Sequence, residues 1–169
     1  MNGDQSYFVH EDDWAMIEII PEVNVPQVSM TMQHDETGGN LHLNNRPVLR
    51  CPIAMHGLSL DILESLFGGK LSYTDDLMTG RTNDMQHVDN GFAFHHDTVG
   101  AVYGTHHDGM VCSLYIDNRL CDCDADFKPI IKGLHKLGRK FNLVLADWWL
   151  DTLVELKDMQ RVTYYVEEE

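Results

Sequence analysis

Residues 98–117, TVGAVYGTHHDGMVCSLYID, constrain the fold more than any other stretch, because two runs rich in apolar and β-branched residues flank a turn sequence. His106-His107-Asp108-Gly109 reads as a four-residue hairpin loop, with Asp108 able to bond its own backbone and Gly109 able to take positive φ. In that register Thr105 opposes Met110, and Val99, Ala101, Tyr103, Cys112, Leu114 and Ile116 share one face. Six apolar side chains on one side make a core face, so another layer has to pack against the hairpin. The other face sets Gly100 against Tyr115 and Gly104 against Val111, where the larger side chains cover the glycines.

The remaining elements are read around this hairpin. Strands are expected in WAMIEII (14–20), in QVSMTMQ (27–33, with Val28, Met30 and Met32 alternating), and in VLRCPIAM (48–55, interrupted by Pro52). FNLVLADWW (141–149) and DTLVEL (151–156) are two more strands around a turn near Leu150-Asp151. Ser59 caps a short helix whose stripe of Leu60, Ile62, Leu63, Leu66 and Phe67 stops at Gly68-Gly69. Asp126 caps the longest helix, with Phe127, Ile130, Ile131, Leu134 and Leu137 on one side and Lys128, Lys132 and Lys136 on the other. Asp158 caps a final helix through Tyr165. Glycine, asparagine and proline mark residues 34–47 as a loop or hairpin, and the polar stretch 70–91 reads as a long surface excursion. The fold class expected is α+β, with a mostly antiparallel sheet and two or three helices packed on one face. At 169 residues and 43% hydrophobic composition, residues 1–169 form a single domain.

Charge narrows the partners. Twelve cations against twenty-seven acids give −15, and five of those cations lie in 127–140, which has no acid. Everything outside that segment therefore carries seven cations against twenty-seven acids, or −20. Such a surface repels nucleic acid and anionic membrane and attracts a basic protein. No window reaches the ~18 apolar residues of a membrane span and the first residues do not resemble a targeting segment, so a cytoplasmic protein is expected. Cys51, Cys112, Cys121 and Cys123 are expected as reduced thiols. The Cys121-x-Cys123 pair lacks a second pair at zinc spacing, and DCDAD lacks the glycine and the final glutamate of a calcium loop.

Ten histidines include two His-His-Asp units, His95-His96-Asp97 and His106-His107-Asp108. They are the one candidate metal set, for zinc or another divalent ion in a hydrolase, with His56 or His87 as further ligands. A strand running between the units would hold them roughly 30 Å apart, and adjacent histidines of a strand point to opposite faces. Cys112, placed on the core face, is not a nucleophile in this register, and no nucleophile elbow, phosphate loop or dinucleotide fingerprint occurs.

The expectation is therefore a non-catalytic acidic binding protein without a cofactor, of the bacterial or phage immunity type, which neutralises a basic toxin or nuclease-like enzyme by covering its active site. Trp148 and Trp149, adjacent in a strand, must face opposite ways, one into the core and one outward as an interface anchor. Together with Asp147 and Asp151 they form the expected partner-binding set.

Overall fold

The computed structural model describes residues 6–34, 46–117 and 126–168. Residues 35–45 of the loop expected at 34–47, Cys121, Cys123 and most of DCDAD lie outside the described residues. In chain order the elements are β1 (Tyr7–His10), β2 (Ile17–Pro21), α1 (Val25–His34), α2 (Leu60–Phe67), β3 (Ser72–Thr74), β4 (Leu77–Arg81) and β5 (Asp84–His87). They continue as β6 (Gly91–His96), β7 (Gly100–His107), β8 (Met110–Asp117), α3 (Lys128–Phe141), β9 (Leu143–Asp147), β10 (Thr152–Glu155) and α4 (Met159–Glu168).

The protein is α+β, as the sequence leads one to expect. Seven strands pair antiparallel in the order β10-β9-β2-β8-β7-β6-β3. A smaller sheet, β1-β4-β5, is mixed: β1 runs parallel to β4, and β4 antiparallel to β5.

The helices, however, do not all lie on one face. Helices α2, α3 and α4 cover one side of the large sheet, where Leu63, Phe67, Ile130, Leu134 and Val162 meet Ile19, Phe94, Val102, Leu114 and Leu145. The opposite side has two covers. Val28 and Met32 of α1 pack on Ile20, Val144, Ala146 and Trp148, while Tyr7, Val9 and Leu77 of the small sheet pack on Ala93, Ala101 and Tyr103. This explains the unbroken apolar run LVLA in β9, whose side chains are buried on both faces and cannot alternate with polar ones.

The central hairpin forms in a different register from the one expected. Its loop is two residues, Asp108-Gly109, both at positive φ (49° and 76°), as a tight hairpin turn of right-handed strands requires. A bulge at Thr105/His106 then shifts the pairing, so that Thr105 opposes Ser113 and Tyr103 opposes Tyr115. Ala101 and Tyr103 consequently face the small sheet and Val102 faces the helices, and Cys112 is exposed instead of lying in the core. The first histidine pair also does not lie at the start of this strand but ends β6, while β7 begins only at Gly100. The chain reverses at Asp97–Val99, and β6 pairs back along β7.

Three other expectations are corrected. QVSMTMQ is helical within α1, not a strand: Val28 and Met32, four apart, are buried together while Met30 between them is exposed. VLRCPIAM forms no strand and ends in a 3₁₀ turn, Ile53–His56, after Pro52. The polar excursion contains β3, β4 and β5, and β5 is exposed along its whole length, so no apolar period marks it. Two helix starts fit their side chains: Ser59 Oγ accepts from Ile62 N, and Asp158 Oδ1 from Gln160 N and Arg161 N. At α3 the cap position falls to Phe127, one residue past the expected Asp126, whose Oδ1 accepts from Lys128 N just ahead of the helix.

Candidate functional site

The turn between β9 and β10 is built on a buried carboxylate. Asp147 is 3% exposed. Its Oδ1 accepts hydrogen bonds from Trp149 N (2.8 Å) and Leu150 N (3.0 Å), and its Oδ2 accepts one from the Tyr165 hydroxyl of α4 (2.6 Å). These bonds occupy the group inside the protein, so Asp147 braces the turn and does not reach a partner. Asp151 closes the turn at φ 50°, a backbone position aspartate tolerates better than most residues.

The two tryptophans diverge within this turn, beyond the end of β9. Trp148 is 1% exposed: its backbone N donates to Met16 O, its ring packs under α1, and its Nε1 donates to Glu18 Oε2 at 3.4 Å. Trp149 and Leu150 point outward, 58% and 52% exposed. The structure thus separates the expected set into an inner pair, Asp147 and Trp148, and an outer pair, Trp149 and Asp151. Leu150 belongs with the outer pair, although only its place in the turn marks it in the sequence.

Beside the turn, β10 forms one edge of the large sheet. A groove of about 560 Å³ runs between β10 and α4, lined by Thr152, Leu153, Val154, Arg161 and Tyr164 among others. A second, of about 250 Å³, lies between Asp151 and Leu153 and the α1 residues Ser29, Met32 and Gln33. Glu155 and Asp158 sit at the far end of the strand, with Arg161 3.9 Å from the first and 3.7 Å from the second.

Behind Trp148 lies a polar cluster that the sequence reading missed, although a lone carboxylate within the apolar run MIEII was its signal. Glu18 opposes Tyr115 across β2 and β8, and the Arg46 guanidinium carbon stands 5.1 Å over the Trp148 ring. Arg46 also donates to Ala15 O, and Ala15 N in turn donates to the Tyr103 hydroxyl oxygen (2.9 Å). Burial raises the Glu18 carboxyl above its ordinary value of 4.5, with Arg46 and the Trp148 bond pulling the other way. Burial likewise lowers Arg46 and raises Tyr103 and Tyr115. The cluster ties the chain ahead of β2 and the segment at Arg46 to the sheet.

Glu18 retains a proton that an unfolded carboxyl has already released. The folded state therefore binds more protons above pH 4.5, and stability falls as pH rises from there through the folded value, then levels off. Glu18→Gln removes this dependence. The stability difference between Glu18→Gln and the native protein should shift in favour of the variant across that window, as measured by urea unfolding at a series of pH values. A difference that stays constant with pH would show the carboxyl to be solvated.

The His-His-Asp units do not converge. His95 is 5% exposed at the end of β6, its ring 4.9 Å from Tyr7, whose hydroxyl donates to Asp117 at 2.7 Å. Burial lowers the His95 pKa, with Asp97 opposing the shift. His96 Nδ1 accepts from Thr98 N in the turn that contains Asp97. At the far end of β7, His106 Nδ1 accepts from Gly109 N, while His107 and Asp108 are exposed. Six residues of β7, Gly100 to Thr105, lie between the units, a span of roughly 20 Å. His87 pairs with Asp76 at 3.5 Å, and His56 Nδ1 is buried without a partner among the described residues. Among the described residues no group of three His, Cys, Asp or Glu side chains is arranged to hold a metal ion, and no helix is long and apolar enough to cross a membrane.

Comparison with protein-family models finds no matching family, and comparison with the curated proteins and the solved structures finds no match.

Proposed function

We propose that this chain is an acidic, non-catalytic binding protein of the immunity or inhibitor type, which covers the active site of a basic toxin or nuclease-like enzyme with the β9–β10 turn and the adjoining edge of the sheet. The observation that carries the reading is the presentation of Trp149 and Leu150 to solvent on a turn held rigid from behind by buried Asp147. Large apolar side chains on a braced turn keep the ordering cost of binding low, and tryptophan is enriched among residues that dominate interfaces. The net charge of −15 supports a basic partner, since complementary charge speeds encounter and rejects acidic competitors. The rival hydrolase reading requires the two His-His-Asp units to meet, or one of them to meet His56 or His87; the units stand at opposite ends of β7, and among the described residues no three such side chains are arranged to hold a metal ion.

Affinity capture from the source cell, using the full chain and its Trp149→Ala variant in parallel, tests this reading. The expected result is one strongly basic protein retained in stoichiometric amount by the native chain, released by salt, and depleted on the variant. Equal recovery on both, or retention of only acidic proteins, would overturn it.

A further inference from the structure

We infer that the outer edge of β10 is a docking strand, completed by an extended cationic segment of the partner protein that pairs with residues 152–155 as an eighth strand. This inference rests on the binding-protein reading above and gives it a mode of recognition. Strand β10 pairs with β9 on one side, and no strand among the described residues pairs with its other side. Such an edge offers backbone N–H and C=O groups as a template.

What flanks β10 argues for a strand as its occupant. The larger groove lies on the α4 side of the edge and the smaller on the α1 side, and Leu153 contributes to both. Leu153 packs with the α1 layer, whereas Val154 belongs to the core beneath α3 and α4. Side chains of an extended segment point alternately to the two faces of a sheet, so an added strand would send successive residues into one groove and then the other. A helix laid along the edge presents one stripe and would fill only one of them.

Charge selects the kind of strand. Asp151 precedes β10, Glu155 ends it and Asp158 follows, three acids beside one cation, Arg161, which is shared between Glu155 and Asp158, while Lys157 is engaged with Glu22 at 2.6 Å, so the edge carries a net negative charge. A second copy of this chain is a poor occupant: antiparallel pairing of β10 with itself brings Asp151 of one copy beside Glu155 of the other, between molecules that each carry −15. A segment alternating basic and apolar residues meets the acids at the strand ends and fills the grooves.

The test uses the full chain and a capped peptide of alternating lysine and valine, with a control peptide of the same lysines and valines interrupted by prolines. Hydrogen exchange of the backbone amides is followed with each. The alternating peptide alone is expected to slow exchange within residues 152–155. The double variant Asp151→Asn, Glu155→Gln should bind it about fivefold more weakly, as the loss of two exposed charge contacts implies. Both positions are exposed, and asparagine keeps the positive φ at 151, so the variant's circular dichroism should match that of the native chain. Binding of both peptides without slowed exchange at β10 would overturn the docking strand while leaving a cationic partner in place. Binding of neither peptide would overturn the docking strand as well, and the capture experiment would then decide the broader reading independently.

Discussion

Trp148→Ala is expected to destabilise the fold by about 3–5 kcal/mol, the range for removing a fully buried aromatic side chain. The ring is 1% exposed and fills the space between α1 and the strands β2 and β9. Its loss also takes the Nε1–H donor from partly buried Glu18 and the stacking surface from Arg46. Relaxation cannot easily refill the space, because Ile20, Val144 and Ala146 around it are held by strand pairing. Urea unfolding followed by circular dichroism measures the effect, and a loss below about 1 kcal/mol would show that α1 does not pack on the sheet as described.

The neighbouring substitution should behave in the opposite way. Trp149→Ala removes a side chain that is 58% exposed, and its backbone N–H to Asp147 Oδ1 survives the change. Stability should move by no more than about 0.5 kcal/mol. Affinity for the basic partner should fall about thirtyfold or more, the loss of roughly 2 kcal/mol that defines a dominant interface residue. Calorimetric titration with the captured partner checks it. An affinity within about twofold of the native value would remove Trp149 from the interface. Two adjacent tryptophans thus separate folding from binding with one substitution each.

The sequence leads one to expect one tryptophan inside and one outside, and Trp148 and Trp149 do separate that way, although in a turn beyond β9 and not by alternation along a strand. Which one turns outward was not legible, since it depends on the Asp147 carboxylate capturing the Trp149 and Leu150 amides and drawing both tryptophans into the turn. Elements with local signatures were legible in the sequence. The Ser59 cap, the spacing of apolar residues in α3 and the Asp108-Gly109 turn act over a few residues. The hairpin register was not, because a bulge at Thr105/His106 adds one residue to the β8 side and turns every later side chain to the other face. Helix α1 was misread because Val28, Met30 and Met32 satisfy both a period of two and a pair four apart, and only the tertiary cover over β2 and β9 decides between them. The cluster around Glu18 joins residues far apart in the chain, Ala15, Arg46, Tyr103, Tyr115 and Trp148, and no local spacing reveals it.

Association with a basic protein through the Trp149 turn and the β10 edge is the central claim, and the affinity of the purified chain for its captured partner as a function of ionic strength tests it most directly. The affinity of the native chain should weaken steadily with added salt, because complementary charge between an acidic and a basic surface is screened within about 10 Å at 0.1 M. Trp149→Ala should weaken it further at every salt concentration, with the same slope, because it removes apolar contact and no charge. An affinity independent of salt, or one that Trp149→Ala leaves unchanged throughout, would contradict the account.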